Sequence, residues 1–197
     1  MESTTKSKIL DEALIMFAEN GYRGTNLRDL AARLGLSKSA LYKHYAGKED
    51  IWNALLDRME SYYAERFGSA EQLPTTPASG EELLALSMRM IDFTVHDPRI
   101  ILTRKLLLTE QFHDERVCRL ATKHFLIGTQ KIYTCIFEKM MAEGILKEGD
   151  PAMLAFMYTA PITSLIQLCT REPDKQEEVM VRSEEFIRYF IATYMEK

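Results

Sequence analysis

Between Asn20 and Lys48 the signals that stop and start helices follow one another closely, leaving room only for short helices joined by tight turns. Asn20-Gly21 closes a first amphipathic helix that carries Ile9, Ala13, Met16 and Phe17 at helical spacing. Glycine just past a helix end takes the left-handed conformation without steric cost. Asn26 starts a second helix as N-cap, and Asp29 three residues later completes a capping-box-like pair. Leu27, Leu30, Ala31 and Leu34 fall at i, i+3, i+4 and i+7, which makes one buried stripe. Gly35 ends that helix, Leu36 turns inward, and Ser37 caps a third, short helix over Lys38 to Tyr45.

Leu41 and Tyr45 share a face of the third helix and are expected to anchor it on the first two. At roughly 100° per residue, Ser39, Ala40 and Lys43 then project outward, with Lys38, Tyr42 and His44 on the flanks. Small residues near the helix start admit base edges, while Lys, Tyr and His reach phosphates or bases. Lys48 opens a fourth helix, where its ammonium and the nearby backbone N–H groups are placed to hold another phosphate. Charge points the same way. Residues 1–48 carry a net charge of +3 and residues 49–197 a net of −7, within a total of −4. Residues 21–48 contain Arg23, Arg28, Arg33, Lys38, Lys43 and Lys48 against the single anion Asp29. A solvated hairpin with a charged face would explain the charge but not the turn chemistry as well; the two together predict a reader of nucleic acid on a separate acidic body.

The run ILDEALIMFAENGYRGTNLRDLAARLGLSKSALYKHYAGKEDIW, residues 9–52, resembles the N-terminal DNA-binding domain of the TetR family of bacterial transcriptional regulators. The resemblance runs without a gap and fixes about a dozen positions of several residue types. It implies that Leu27, Ser37, Lys38, Ser39, Tyr42, Lys43, His44 and Lys48 occupy positions where that family touches DNA. With the residues read above, the candidate DNA-contacting set is Asn26, Leu27, Arg28, Ser37, Lys38, Ser39, Ala40, Tyr42, Lys43, His44 and Lys48. Two positions depart from the family: Ser39 stands where Gly or Pro is frequent, and Tyr45 where Phe is usual.

The expected fold is all-α: a three-helix helix-turn-helix domain over residues 1–48, then a helical effector-binding and dimerisation domain over 49–197. Residues 67–80 read as a loop. Ser79 with Glu82 opens a helix running to about Val95, and Asp97-Pro98 and Asp150-Pro151 open two more. Val117, Ala121, Phe125, Gly128, Ile132, Ile136 and Met140 form the stripe of one long helix, closed at Gly144 with Ile145 making a Schellman-type contact. Asp174 with Glu177 is expected to open the last helix. Cys118, Cys135 and Cys169 are well separated on apolar segments, which fits buried thiols in a reduced cytoplasm. Lys6, Lys8, Asp11 and Glu12 break any leading apolar run, so no signal peptide is expected.

Residues 151–170 contain no charge at all. Their length permits a membrane span, but Pro151, Pro161 and five polar side chains argue for burial between two subunits instead. The expected interface is a four-helix contact in a homodimer, with Tyr158, Ile162, Ile166, Phe186, Phe190 and Tyr194 as candidates; this is also where the TetR family dimerises. A two-fold dimer presents two reading helices about one DNA turn, ~34 Å, or a multiple of it apart, so the operator is expected to be a palindrome in double-stranded DNA. The resemblance further implies an effector pocket, for which Phe93, His96, Phe112, His113, His124, Tyr133, Phe137, Phe156 and Met157 are candidates, with a largely apolar ligand. Repression is that family's commoner mode. Alternatives are a thiol- or metal-responsive regulator of the same fold and, from another class, a helical-bundle enzyme. The chain holds one Glu-x-x-His, Glu110 to His113, where a di-iron bundle needs two, and the pair reads as a helix-surface contact. No phosphate loop, nucleophile elbow or HExxH is present, so no catalytic residue, cofactor or resident metal is expected.

Overall fold

The computed structural model describes residues 4–67 and 76–196. Its helices are α1 (Thr4–Gly24), α2 (Leu27–Arg33), α3 (Lys38–Tyr42), α4 (Lys48–Phe67), α5 (Gly80–His96), α6 (Pro98–Glu110), α7 (Glu115–Thr122), α8 (Gly128–Ala142), α9 (Pro151–Arg171) and α10 (Gln176–Tyr194). The fold is all-α; among the described residues the β-type pairing is one isolated bridge, Leu146 with Met195. Most of the loop expected over 67–80 lies outside the described residues.

The chain divides into two compact units, Met1–Arg66 with Leu102–Ala121, and Phe67–Ile101 with Thr122–Lys197. In the first, Ile9, Leu10, Ala13 and Phe17 of α1 are buried with Leu30 of α2, Leu41 of α3 and Ile51, Leu55 and Leu56 of α4. Each short helix is fixed by the cap its sequence specifies. Asn26 accepts from Asp29 N–H at 3.0 Å, and Ser37 from Ala40 N–H at 3.1 Å. Gly21 (φ 70°) kinks α1 three residues before its end and Gly35 (φ 65°) follows α2, both with a positive φ at which a side chain would be strained. Arg33 ties α2 to Glu12 and Glu19 of α1 at 3.1 and 3.2 Å, and Arg58 ties α4 to Asp11 at 3.0 Å.

The second unit is built from α5, α8, α9 and α10 around Leu83, Val95, Tyr133, Phe137, Tyr158, Ile187 and Phe190. Its rings interlock: Tyr133 with Tyr158 at 4.8 Å, Tyr158 with Phe190 at 4.6 Å, and Phe137 with Phe190 at 5.4 Å. Ser79 caps α5 by accepting from Glu82 N–H at 3.2 Å, and Asp150 caps α9 by accepting from Ala152 and Met153. Gly144 (φ 67°) closes α8, with Ile145 N–H bonded to Met140 C=O at 2.8 Å as the Schellman reading requires.

Three expectations are corrected. The stripe from Val117 to Met140 is not one α-helix, because a π-helical turn, Lys123–Ile127, separates α7 from α8. Asp174 does not cap the last helix; it sits in a 3₁₀ turn, Pro173–Lys175, which leads directly into α10. The third helix stops at Tyr42, although Tyr45 is buried as expected.

Candidate nucleic-acid interface

α3 is held from below and capped from the front, so its outer face has little freedom. Leu41 is fully buried and Tyr45 nearly so. Ser37 caps the helix, and its Oγ also lies 3.0 Å from Ser39 Oγ. The two hydroxyls therefore form one hydrogen-bonded pair at the helix start. Ser37, Lys38, Ser39, Tyr42 and Lys43 are exposed and Ala40 and His44 half-buried, with Tyr42 showing 44% of its surface. Lys38 Nζ stands 5.7 Å from the Tyr42 ring centroid, a cation–π arrangement that sets both side chains on one flank. At the start of α2, Asn26 and Arg28 are exposed and Leu27 is half-buried. The surface thus offers hydroxyl, amide, aromatic and cationic groups on rigid helix starts, the chemistry that backbone and base-edge contacts use.

Lys48 is placed differently. Its ammonium turns inward, donating to Thr25 C=O at 2.7 Å and lying 4.4 Å from the Tyr22 ring centroid. Burial pulls the Lys48 ammonium below the usual lysine range, and the charge of Glu110 works against that fall. The Thr25 hydroxyl in turn donates to Met16 C=O at 3.1 Å and Gly21 C=O at 2.9 Å. In this structure Lys48 knots the start of α4 to the turn between α1 and α2.

Sequence reasoning missed the polar contacts made by α6 and α7 within the same unit. Glu110 is 9% exposed and accepts from Tyr22 N–H at 3.2 Å. It is not a surface pair with His113, which is exposed. Asp114 accepts from the Trp52 indole N–H at 2.9 Å and from the N–H groups of Arg116 and Val117 at 2.7 and 3.2 Å. Burial raises the Asp114 carboxyl, but these hydrogen bonds outweigh it and leave the group below the usual carboxylate range. Arg116 reaches Asp57 and Glu60 of α4. An N-cap at Asp114 was readable from sequence; its long-range partner was not.

The effector candidates do not gather. Phe112, 84% exposed, and His113 belong to the first unit. His96 is exposed and bonds Asp92 at 2.9 Å, while Phe93 and His124 are half-buried. Tyr133 and Phe137 are buried in the core, whereas Phe156 and Met157 are exposed on α9. Of the interface candidates, Tyr158, Ile162 and Phe190 are buried within their own unit, and Ile166, Phe186 and Tyr194 are half-buried. A groove of about 520 Å³ between α9 and α10 is lined by Pro161, Ser164, Leu165, Leu168, Arg171, Arg182 and Phe186. The thiols also differ from expectation: Cys169 is buried, Cys135 half-buried and Cys118 exposed.

Two short capped helices with a buried anchor and an exposed basic face define a helix-turn-helix domain. Residues 9–55 match the family described as bacterial regulatory proteins, tetR family. Over 60 residues the chain is 37% identical to IcaR of Staphylococcus epidermidis, the HTH-type negative transcriptional regulator of the biofilm operon icaADBC. That stretch covers 30% of this chain and 32% of the regulator, so the chain spans about a third of the length of this curated relative. SmeT, the repressor of the Stenotrophomonas maltophilia multidrug efflux pump SmeDEF, superimposes with a TM-score of 0.69 at 21% identity, over 100% of this chain and 92% of SmeT. The SmeT–triclosan complex aligns at 0.74 and 21% identity, over 99% and 93%. A protein from Saccharomonospora viridis in complex with choline aligns at 0.74 and 19% identity over the whole of both chains. At these identities the structural likeness is one of fold.

Proposed function

We propose that the protein is a cytoplasmic transcriptional regulator of the repressor type, which binds a palindromic or near-palindromic operator as a homodimer and answers to a largely apolar small-molecule effector. The observation that carries the reading is the outer face of α3: Ser39, Tyr42 and Lys43 stand exposed on a helix that is capped and anchored. Ser37, Lys38, Ala40 and His44 extend that face, and Asn26, Leu27 and Arg28 of α2 flank it. Lys48 joins the contact set when a phosphate replaces Thr25 C=O as its partner.

For the dimer, support comes from α9, which exposes Met153, Phe156 and Met157 while burying Leu154, Ala155, Tyr158 and Ile162. The proposed interface keeps Ile166, Phe186 and Tyr194 and takes in the exposed apolar groups of α9; Tyr158, Ile162 and Phe190 act as core. For the effector, the candidates in or beside the core of the second unit are Phe93, His124, Tyr133 and Phe137. Their polar groups are the His124 imidazole and the Tyr133 hydroxyl, and the latter bonds Ser87, whose Oγ also meets the Tyr158 hydroxyl.

Lys43→Ala and Tyr42→Ala test the reader. Each removes an exposed side chain, so helicity and oligomeric state should stay as in wild type. Operator binding should weaken about tenfold or more, and the Lys43 variant should lose about one unit of salt slope if it contacts a phosphate. Wild-type affinity and salt dependence in both variants would sink the assignment.

A further inference from the structure

The turn that sets α2 relative to α1 is completed by a side chain from far along the chain. Gly21 takes φ 70°, and a Cβ there would lie 2.7 Å from Glu110 Oε1. The next residue, Tyr22, donates its backbone N–H to that same oxygen at 3.2 Å. Where a helix breaks, backbone groups lose their intrahelical partners, and a buried one left unmade is costly. Glu110 supplies the acceptor from the last residue of α6, 88 positions away in the chain.

The contact does not end at the turn. The Tyr22 ring carries the Lys48 ammonium on one side and meets Trp52 at 4.9 Å, and Trp52 meets Phe17 at 5.0 Å. Thr25, 2% exposed, closes the turn on Gly21 C=O and holds Lys48 by its own carbonyl. Its neighbour Asn26 is the N-cap of α2. Glu110, Tyr22, Lys48, Thr25 and Asn26 therefore form one continuous connection from α6 to the start of the helix-turn-helix.

We infer that Glu110 is a positioning residue for DNA reading: its carboxylate oxygen holds the Gly21–Tyr22 turn, and through it Lys48 and the start of α2, in the arrangement that presents α3. The inference rests on the regulator reading proposed above. It assigns Glu110 no contact with DNA. Its effect passes through the backbone N–H of Tyr22, so an uncharged acceptor of the same shape replaces it and an apolar side chain of the same size does not.

The experiment takes full-length wild type, Glu110→Gln and Glu110→Leu. An operator is first selected by the wild-type protein from a pool of random duplexes, and the ratio of operator to random-duplex affinity is then measured for each. Emission from Trp52, the single tryptophan of the chain, reports the local packing, and circular dichroism the fold. The Gln variant is expected to keep the wild-type ratio. The Leu variant is expected to lose about tenfold of it with a shifted Trp52 emission and unchanged helicity, because base contacts need tighter placement than phosphate contacts. A wild-type ratio in the folded Leu variant overturns the inference, as does an equal loss in both variants. Should the Leu variant fail to fold, hydrogen exchange of the Tyr22 amide in wild type decides: protection is expected, and exchange at the rate of an open amide overturns the inference. A pool from which wild type enriches nothing overturns the regulator reading instead, and the Tyr22 amide still tests the hold of Glu110 on the turn.

Discussion

Tyr133 and Tyr158 put two phenols in the centre of the second unit, bridged by one serine. Tyr133 donates to Ser87 Oγ at 2.8 Å, and Ser87 Oγ lies 2.7 Å from the Tyr158 hydroxyl. Burial pushes the Tyr133 hydroxyl up to about 12, with the Ser87 hydrogen bond pulling weakly the other way, and Tyr158 is raised for the same main reason. A folded-state value above the unfolded one means the stability is whole below about pH 10 and lost as pH climbs toward 12. A two-unit rise corresponds to a loss on the order of 3 kcal/mol from Tyr133. Urea midpoints measured from pH 9 to 11.5 should fall steeply in wild type and less steeply in Tyr133→Phe; identical slopes would reject the account. These residues mark where sequence stops being informative. Asn26, Ser37, Ser79 and Asp150 were readable as caps because a cap bonds residues two or three positions away. Ser87 and Glu110 were not, since their partners sit 71 and 88 positions off.

At the scale of elements, the break between α7 and α8 shows how a pattern can be read and its consequence missed. The six steps from Val117 to Met140 span 23 residues, where an undisturbed α-helix would use about 22. The surplus residue is absorbed in the π turn, where Gly128 N–H reaches back to Lys123 C=O. Beyond it Tyr133, Ile136, Phe137 and Met140 are buried and Lys131, Glu138 and Lys139 are exposed. Glycine at 128 is required by space, since a Cβ there would lie 2.5 Å from the Lys123 carbonyl oxygen. Gly128→Ala should therefore destabilise by about 1–3 kcal/mol, although alanine is the better helix former. Thermal denaturation checks the sign: a variant as stable as wild type, or more so, would mean that the π turn relaxes at no cost. The 3₁₀ entry to α10 has a similar origin, because Pro173 ends α9 and leaves three residues to turn the chain.

For the whole molecule, the unresolved balance is the surface of α9. By length and composition this helix could cross a membrane, yet six of its residues are buried, and a third of its most apolar window is covered within the chain. The sequence made the excess apolar surface legible but assigned its faces wrongly in part, because a run without charges carries no period to separate the two. The exposed side of α9 holds Met153, Phe156 and Met157. If a second copy covers this surface, a carboxylate at position 157 is carried into surroundings stripped of water, where an unpaired charge is strongly unfavourable. In the isolated protomer the same carboxylate stays solvated, since Met157 is 46% exposed. Met157→Glu is thus expected to fold with wild-type helicity and to sediment as a monomer of 22.7 kDa, while wild type, purified from the soluble fraction without detergent, sediments at twice that mass. Operator affinity of the variant should drop about a hundredfold or more, because one half-site alone must then bear the binding. Phe190→Asp provides the contrast: it buries a charge in the core and should unfold the second unit rather than divide a dimer. A Met157→Glu protein that still sediments as a dimer would remove this face of α9 from the interface.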